Sequence, residues 1–359
     1  MVAPDRPLPE QWERAILHLD MDAFYVNVHI LEHPEDAGIP LAVGGRPSGR
    51  GVIASASYEA RRFGVRSAMP SSRAVRLCPK LKIVGHNWPL IKASSQQVMA
   101  VLGDYGPVEK MSVDEAYVDL SRHPQPQTLP EAIRRRVKEE TRLPASVGLA
   151  SSKLVAKVAS DYDKPEGCTI VRPGQEAAFL APLPVRVIWG IGPRTAAKLE
   201  TLQIRTCGEL ATADSARLRQ QFGDHAEALQ RRAQGRDNRS VVAERGQPKS
   251  ISQENTFSSD VDDPAFLQAQ LQRMAGSVAA SLRRRNLVAY TVRVKFRWAD
   301  FTTFTRQATV DVPFDDEERI YRLAVALWRE HWQQKKMRLI GVGVTTLEEP
   351  DVRQAAFDF

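Results

Sequence analysis

Residues 14–28 read RAILHLDMDAFYVNV: an apolar run ends in Asp20 and Asp22, and Phe24 and Tyr25 follow. Residues 110–121, KMSVDEAYVDLS, carry Asp114 and Glu115 into a second apolar stretch. Either stretch alone is compatible with acids at solvent-facing strand ends. Together they point to one site, because carboxylates meeting at adjacent strands repel one another unless cations lie between them. Hard divalent ions, Mg2+ above all, suit oxygen donors and leave positions for phosphate oxygens. Two such ions about 4 Å apart can activate a hydroxyl and stabilise the leaving oxygen of a phosphoryl transfer. Strand geometry adds a condition. Neighbours on a regular strand face opposite ways, so Asp114 and Glu115 share a site only where the backbone bends.

Other residues fit a polyanionic substrate. Tyr58 and Arg61 are three apart, so at a helix start they share a face. A hydroxyl and a forked guanidinium there can grip phosphate oxygens. Lys164, in DYDKPEG, is a third candidate cation. Taken singly, each reads as a solvated charge. Residues 189–204, WGIGPRTAAKLETLQI, resemble a helix-hairpin-helix: Gly190 and Gly192 let the backbone approach closely, and free amides at the helix start can bind a phosphate. Pro193, Arg194 and Lys198 support that reading against an ordinary inter-helix turn. In TVRVKFRW (291–298), Val292, Val294 and Phe296 alternate with Arg293, Lys295 and Arg297. Period two puts the apolar groups on one sheet face and the cations on the other. Solvated faces usually mix signs, so this one favours contact with a nucleic-acid backbone. Arg306 on the next strand, with Arg283, Arg284 and Arg285, is expected to extend it.

The elements that must position these groups can be read along the chain. Residues 1–13 are polar and Pro-rich, a loose leader. Strands are expected at 15–19, twice within 41–58 around a Gly-rich turn, at 110–120 and at 145–150. Helices are expected at 58–63, 71–77, 90–104, 130–142 with Pro at its start, and from about Ser152. Short helices separated by Gly and Pro fill 174–235. After a polar linker at 243–250 the order is strand (251–258), helix (264–285), strand (287–298), strand (302–312), helix (315–335), strand (338–347). That βαββαβ order predicts a small α+β domain whose sheet carries two helices on one face.

Bulk properties agree. A chain of 359 residues implies two to four domains. With 50 Lys plus Arg against 43 Asp plus Glu, the net charge is +7, which favours a polyanionic partner. Cys78, Cys168 and Cys207 are far apart and in no metal-ligand spacing, as in a reduced, cytoplasmic protein. No apolar run approaches the ~20 residues of a membrane helix, and the first residues lack the apolar core of a signal peptide.

DMDAFY at 20–25, SYEARRFGVRSAMP at 57–70 and SVDEAYVDLS at 112–121 resemble the Y-family translesion DNA polymerases of the DinB, or DNA polymerase IV, type. The similarity runs from about Ile16 to Leu347. It implies an α+β right-hand polymerase: palm at 14–23 and 87–171, fingers at 24–86, thumb with helix-hairpin-helix at 172–242, and a little finger at 251–348. It further implies that Asp20 and Asp114 bridge two Mg2+ ions (Mn2+ being possible), with Glu115 and the Met21 carbonyl as further ligands. Asp22 is expected to serve the structure or to support the metal ligands from behind rather than to ligate directly. Tyr58, Arg61, Lys164 and nearby Ser55 are expected on the dNTP triphosphate. Tyr25 would be a steric gate whose bulk clashes with a 2′-hydroxyl, while Phe24 enters the core. Small residues at Val52, Ala54 and Ala68 would roof the templating base loosely, at the expense of discrimination.

The expected activity is template-directed addition of dNTPs to a primer 3′ end, with lesion bypass, low fidelity and no second set of acidic motifs for proofreading. Two other classes are weighed against it. A polymerase-like scaffold without activity would lack the metal carboxylates, which are present. A two-metal nuclease would need neither a sugar gate nor a triphosphate set. The tail at 349–359 closes with RQAAFDF at 353–359. Gln354, Phe357 and Phe359 resemble the short peptide by which bacterial polymerases bind the sliding clamp. The expected protein is a monomer, associated with the nucleoid when working.

Overall fold

The computed structural model describes residues 12–244 and 246–350. In chain order its strands and helices are β1 (Ile16–Met21), α1 (Phe24–Glu32), β2 (Leu41–Gly44), β3 (Ile53–Ala56), α2 (Tyr58–Arg62), α3 (Ser71–Leu77), β4 (Lys82–Val84), α4 (Trp88–Gly103), β5 (Val108–Lys110) and β6 (Glu115–Asp119). There follow α5 (Leu129–Thr141), β7 (Ala145–Ala150), α6 (Lys153–Tyr162), β8 (Cys168–Ile170), α7 (Glu176–Leu180), α8 (Pro193–Thr201), α9 (Cys207–Thr212), α10 (Ser215–Phe222) and α11 (His225–Ala233). The last six are β9 (Ser250–Val261), α12 (Pro264–Arg284), β10 (Val288–Trp298), β11 (Thr303–Phe314), α13 (Glu317–His331) and β12 (Met337–Glu348). Two compact units result: one runs to Arg245, except for Gly45–Val52 and Pro70–Arg73, which belong with the other, from Gly246 onward.

In the first unit β1 lies at the centre of a five-stranded sheet, order β5-β6-β1-β7-β8. All six residues of β1 are buried. Leu17 and Leu19 pack with Ile91, Val98 and Leu102 of α4 and Ile133 and Val137 of α5. Ile16 packs on the opposite face with Leu154, Val155 and Val158 of α6. By alternation His18 and Asp20 face α6 as well. A smaller sheet, β3-β2-β4, carries Ala42, Ile53 and Ala56 into a separate cluster with Ala60 and Val65.

Three sequence expectations change here. The strand expected at 110–120 is a hairpin: Met111 and Ser112 donate their amides to the Glu115 carbonyl (2.9 and 3.3 Å), turning β5 into β6. That turn is the bend the acidic pair requires. Residues 24–32, for which no element was expected, form α1; its mix of β-branched and polar residues shows little helical period. Strands β4 and β8 are three residues each, too short to show a pattern.

The second unit realises the βαββαβ order as an antiparallel sheet, β11-β10-β12-β9. Val292, Val294 and Phe296 of β10 and Ile340, Val342 and Val344 of β12 form one core with Leu271, Met274 and Val278 of α12 and Ala324 and Trp328 of α13. Arg293, Lys295 and Arg297 are left on the other face.

Candidate active site

Backbone register brings the acids together. Asp20, at the end of β1, lies directly opposite Glu115, the first residue of β6. Met21 donates its amide to the Asp114 carbonyl (3.0 Å), which sets the turn before β6 beside the end of β1. Ser112 Oγ accepts from the amides of Asp114 and Glu115 (3.2 and 3.1 Å) and donates to the Asp114 carboxylate.

The charges are answered from α6 and the residues just after it. Lys157 Nζ lies 2.9 Å from Glu115 Oε2, and Lys164 Nζ lies 2.7 Å from both Asp20 and Asp161. Burial nevertheless pushes the Asp20 carboxyl up to about 7, against the pull of Lys164. Burial also works to lower the Lys164 ammonium, but Asp20 and then Asp161 outweigh it and hold its pKa above the ordinary lysine value. Glu115 is held well below the usual carboxylate range by His18 and by Lys157. His18 is fully buried, and burial lowers its pKa against the opposing pull of Glu115. Its Nδ1 sits 2.7 Å from Ser160 Oγ, while Nε2 lies 3.8 Å from Glu115 Oε2 and has no hydrogen-bond partner among the described residues.

Among the described residues, no three His, Cys, Asp or Glu side chains are gathered as a metal cage. The tight convergence expected of Asp20, Asp114 and Glu115 is therefore not preformed: like charges repel, and two of the three turn to lysines. The donor set still fits hard divalent cations. It consists of oxygen ligands on adjacent chain segments, and Asp20 is a buried carboxylate whose desolvation a single lysine does not offset.

Asp22 is tied into the fold by hydrogen bonds. Its buried carboxylate accepts from Tyr58 Oη (3.0 Å), Ser146 Oγ (3.0 Å) and the Glu166 amide (2.8 Å). Tyr58 thus points at Asp22, and burial, followed by that charge, pushes its phenol up to about 12. Arg61 stacks its guanidinium over the Tyr58 ring (4.5 Å) and donates Nε to the Ala56 carbonyl (3.0 Å). Ser55 is buried on β3 opposite Val43.

Phe24 is buried and Tyr25 half-buried. The angular spacing of helix α1 turns these neighbouring rings apart. Burial and the nearby Asp114 raise the Tyr25 phenol. Val52, in the second unit, is half exposed and bridges Pro70. In the first unit, Ala68 adopts a left-handed backbone (φ 64°) and donates its amide to the Ile53 carbonyl (2.8 Å), next to Ala54 in sequence.

The hairpin glycines are placed as expected. Gly190 has φ 94°, a conformation that favours glycine, and Gly192 caps α8. Arg194 and Lys198 are exposed on that helix. Trp189, 56 % exposed, stacks with the Arg239 guanidinium (5.2 Å). A cleft of about 660 Å3 runs along Lys157 and Tyr162 of α6 to Trp189, Gly190 and Gly192.

In the second unit Arg293 donates to Gln307 (2.8 Å), Arg297 to Thr303 (2.8 Å) and Lys295 to Glu254 (2.6 Å). The last pair reaches across Gly341, which stands between them in the sheet. A Cβ there would come within 2.9 Å of Glu254 Cβ. Arg306 is a correction: it pairs with Val294, so it lies on the apolar side of the sheet, with its guanidinium over Phe304 (4.9 Å). Arg283 and Arg284 end α12, and Arg283 donates to the Asp315 carbonyl (3.4 Å). Gln354, Phe357 and Phe359 lie outside the described residues.

Sequence reasoning missed Lys157, His18 and Ser146. Lys157, Asp161 and Lys164 are spaced four and three apart, a helical signal that could have exposed the first.

Comparisons with known proteins show the family and the fold. Residues 19–161 match the impB/mucB/samB family, 173–204 the IMS family HHH motif, and 248–357 the impB/mucB/samB family C-terminal domain. A DNA polymerase IV of Methanoculleus marisnigri is 42 % identical over 352 residues, covering 96 % of this chain and 98 % of the relative. A DNA polymerase IV of Dehalococcoides mccartyi is 39 % identical over 345 residues, covering 94 % and 88 %. One from Bacillus anthracis is 37 % identical over 341 residues, covering 93 % and 83 %. A solved Y-family DNA polymerase chimera superposes with a TM-score of 0.81 at 24 % identity, covering 92 % of this chain and 98 % of that one.

Proposed function

The chain belongs to the Y-family DNA polymerases of the impB/mucB/samB family and is a DNA-directed DNA polymerase serving translesion synthesis; from that premise we propose the following division of work among its residues. Asp20, Asp114, Glu115 and the Met21 carbonyl would hold two divalent ions, Mg2+ first, with Mn2+ as the alternative. Bound there, such ions supply Lewis-acid stabilisation of phosphate charge and a more acidic primer hydroxyl. The observation that carries this reading is the register pairing of Asp20 with Glu115, with Asp114 in the adjoining turn.

Tyr58, Arg61 and Lys164 bind the triphosphate, with Ser55 beside them. Phosphate oxygens would draw Lys164 away from Asp20 and Asp161, which leaves Asp20 available as a ligand. The primer 3′-hydroxyl attacks the α-phosphorus, the bond to the bridging oxygen breaks, and pyrophosphate leaves. Tyr25 excludes ribonucleotides by clash. Val52, Ala54 and Ala68 leave room for damaged or misaligned template bases, which lowers fidelity, and errors stay uncorrected. In the subdomain scheme, residues 14–23 and 87–171 form the palm, 24–86 the fingers, 172–242 the thumb and 251–348 the little finger.

DNA is held without regard to sequence at two surfaces: the Gly190–Gly192 turn with Arg194, and the row Arg293, Lys295, Arg297. Among the described residues, no helix is long and apolar enough to cross a membrane. The protein works as a cytoplasmic monomer on nucleoid DNA. We extend the proposal to the sliding clamp, bound through Gln354, Phe357 and Phe359: a weak peptide contact gains effective concentration when the clamp encircles the same DNA. Deleting 354–359 is expected to spare basal extension and remove stimulation by a loaded clamp; full stimulation of the truncated chain refutes the anchor.

The test of the whole reading is primer extension on a defined template with Mg2+ and the four dNTPs. Templated addition is expected. Absence of extension, or shortening of the primer, overturns it.

A further inference from the structure

Two aromatic residues beside Tyr25 are not explained by the core. Trp88, the first residue of α4, is 48 % exposed, although an indole is among the costliest side chains to leave in water. Its ring lies stacked on that of His86, with centroids 5.1 Å apart and an angle of 5° between the planes. Tyr25 meets both rings edge-on, at 5.6 Å and 72° to His86 and at 6.0 Å and 71° to Trp88. Edge-to-face and offset-stacked contacts at these separations are the geometries that aromatic quadrupoles favour. The stack is also anchored. Asn87, between the two rings in sequence, caps α4 through the Leu90 amide (3.3 Å) and donates to Glu32 at the end of α1 (3.1 Å). The helix that carries Tyr25 and the segment that carries the stack are therefore tied at a second point, one turn and more away from the rings.

We propose that His86 and Trp88 form a backstop that fixes the rotamer of the Tyr25 ring and so sets how strictly the polymerase refuses a ribose. The proposal rests on the reading of Tyr25 as the sugar gate and deepens it. A clash excludes a 2′-hydroxyl only if the clashing group cannot move aside. Tyr25 is half-buried and turns about two side-chain bonds, so α1 alone does not prevent such a movement. The ring pair blocks one direction of it. His86 and Trp88 are thus positioning residues, acting through Tyr25.

Single-nucleotide extension opposite template dG, with dCTP and CTP in separate reactions, reads this directly as a ratio of kcat/KM values. Trp88→Ala and His86→Ala are each expected to raise relative CTP use roughly three- to tenfold, the weight of one or two aromatic contacts. Trp88→Phe, which keeps a ring, should restore most of the discrimination. In a Tyr25→Ala background neither substitution should add anything, because the part they steer is gone. An unchanged ratio in Trp88→Ala and His86→Ala, with a raised ratio in Tyr25→Ala, leaves the gate standing and overturns the backstop. An unchanged ratio in Tyr25→Ala overturns the gate itself, and the backstop with it. Equal losses with both nucleotides in Trp88→Ala, matched by an earlier melting transition, mean that the rings only hold α4 in place, which also overturns the proposal.

Discussion

The end of β1 in the first unit and the open face of β10 in the second both concentrate like charge on antiparallel strands, by opposite means. Asp20 is buried, faces Glu115 in direct register, and is answered by Lys164 from a neighbouring element. Arg293, Lys295 and Arg297 are spaced along one strand, reach sideways to Gln307, Glu254 and Thr303, and keep contact with solvent. In the first region, burial removes the water that would otherwise screen the charges, so each partner matters and the group's protonation shifts. In the second, water and salt share the task with the protein, so no single cation is indispensable. A site for chemistry on one phosphate and a surface for many phosphates differ in this way: the former concentrates its energy in few contacts and the latter distributes it.

That contrast makes ordered predictions. Replacing Asp114 and Glu115 together by Ala should cut primer extension by about 10^3-fold or more, the scale of removing charge stabilisation from a transition state. Primer-template affinity should stay within a few-fold, because it comes from cations elsewhere. Near-normal extension by that variant breaks the concentrated half of the comparison. Replacing Arg293, Lys295 and Arg297 together by Ala should weaken DNA binding and flatten its dependence on log salt by up to about three units, near one per lost phosphate contact. The fold should survive, since Val292, Val294 and Phe296 are untouched. A titration series with the wild-type slope would mean that the face is merely solvated. The smallest effect is expected from Glu254→Gln. Releasing Lys295 from an exposed ion pair worth ~0.2–1 kcal/mol should tighten DNA binding by about twofold at low salt and change nothing at high salt. Weaker binding would show that Glu254 positions Lys295 rather than competing for it.

Much of this was legible in the residues. The alternation in TVRVKFRW places three cations opposite three buried groups, and the central strands β1, β7 and β12 fall where apolar runs lie. What escaped depended on pairing. Arg306 belongs to the strand beside the cationic one, but the Ala299–Thr302 connection matches Phe304 with Phe296 and hence Arg306 with Val294; no local pattern states that register. The bend that lets Asp114 and Glu115 serve one site is a turn closed by backbone amides, invisible in side-chain chemistry. Lys157 and His18 come to Glu115 only because α6 packs on the sheet face toward which β1 turns His18. Their identities are in the sequence, but their convergence comes from packing.

Asp22 bears on how the protein can be divided. Its carboxylate joins Tyr58, Ser146 and Glu166, partners 36, 124 and 144 positions away along the chain. Any cut between residues 23 and 165 leaves at least one of these bonds spanning two polypeptides, so reassembly would depend on the concentration of the fragments. A cut in the polar stretch after 242 spares all three. For modular engineering that cut costs Asp22 nothing, but it leaves Gly45–Val52 and Pro70–Arg73, which belong with the second unit, on the first polypeptide, so a transplanted second unit has to bring those two segments with it.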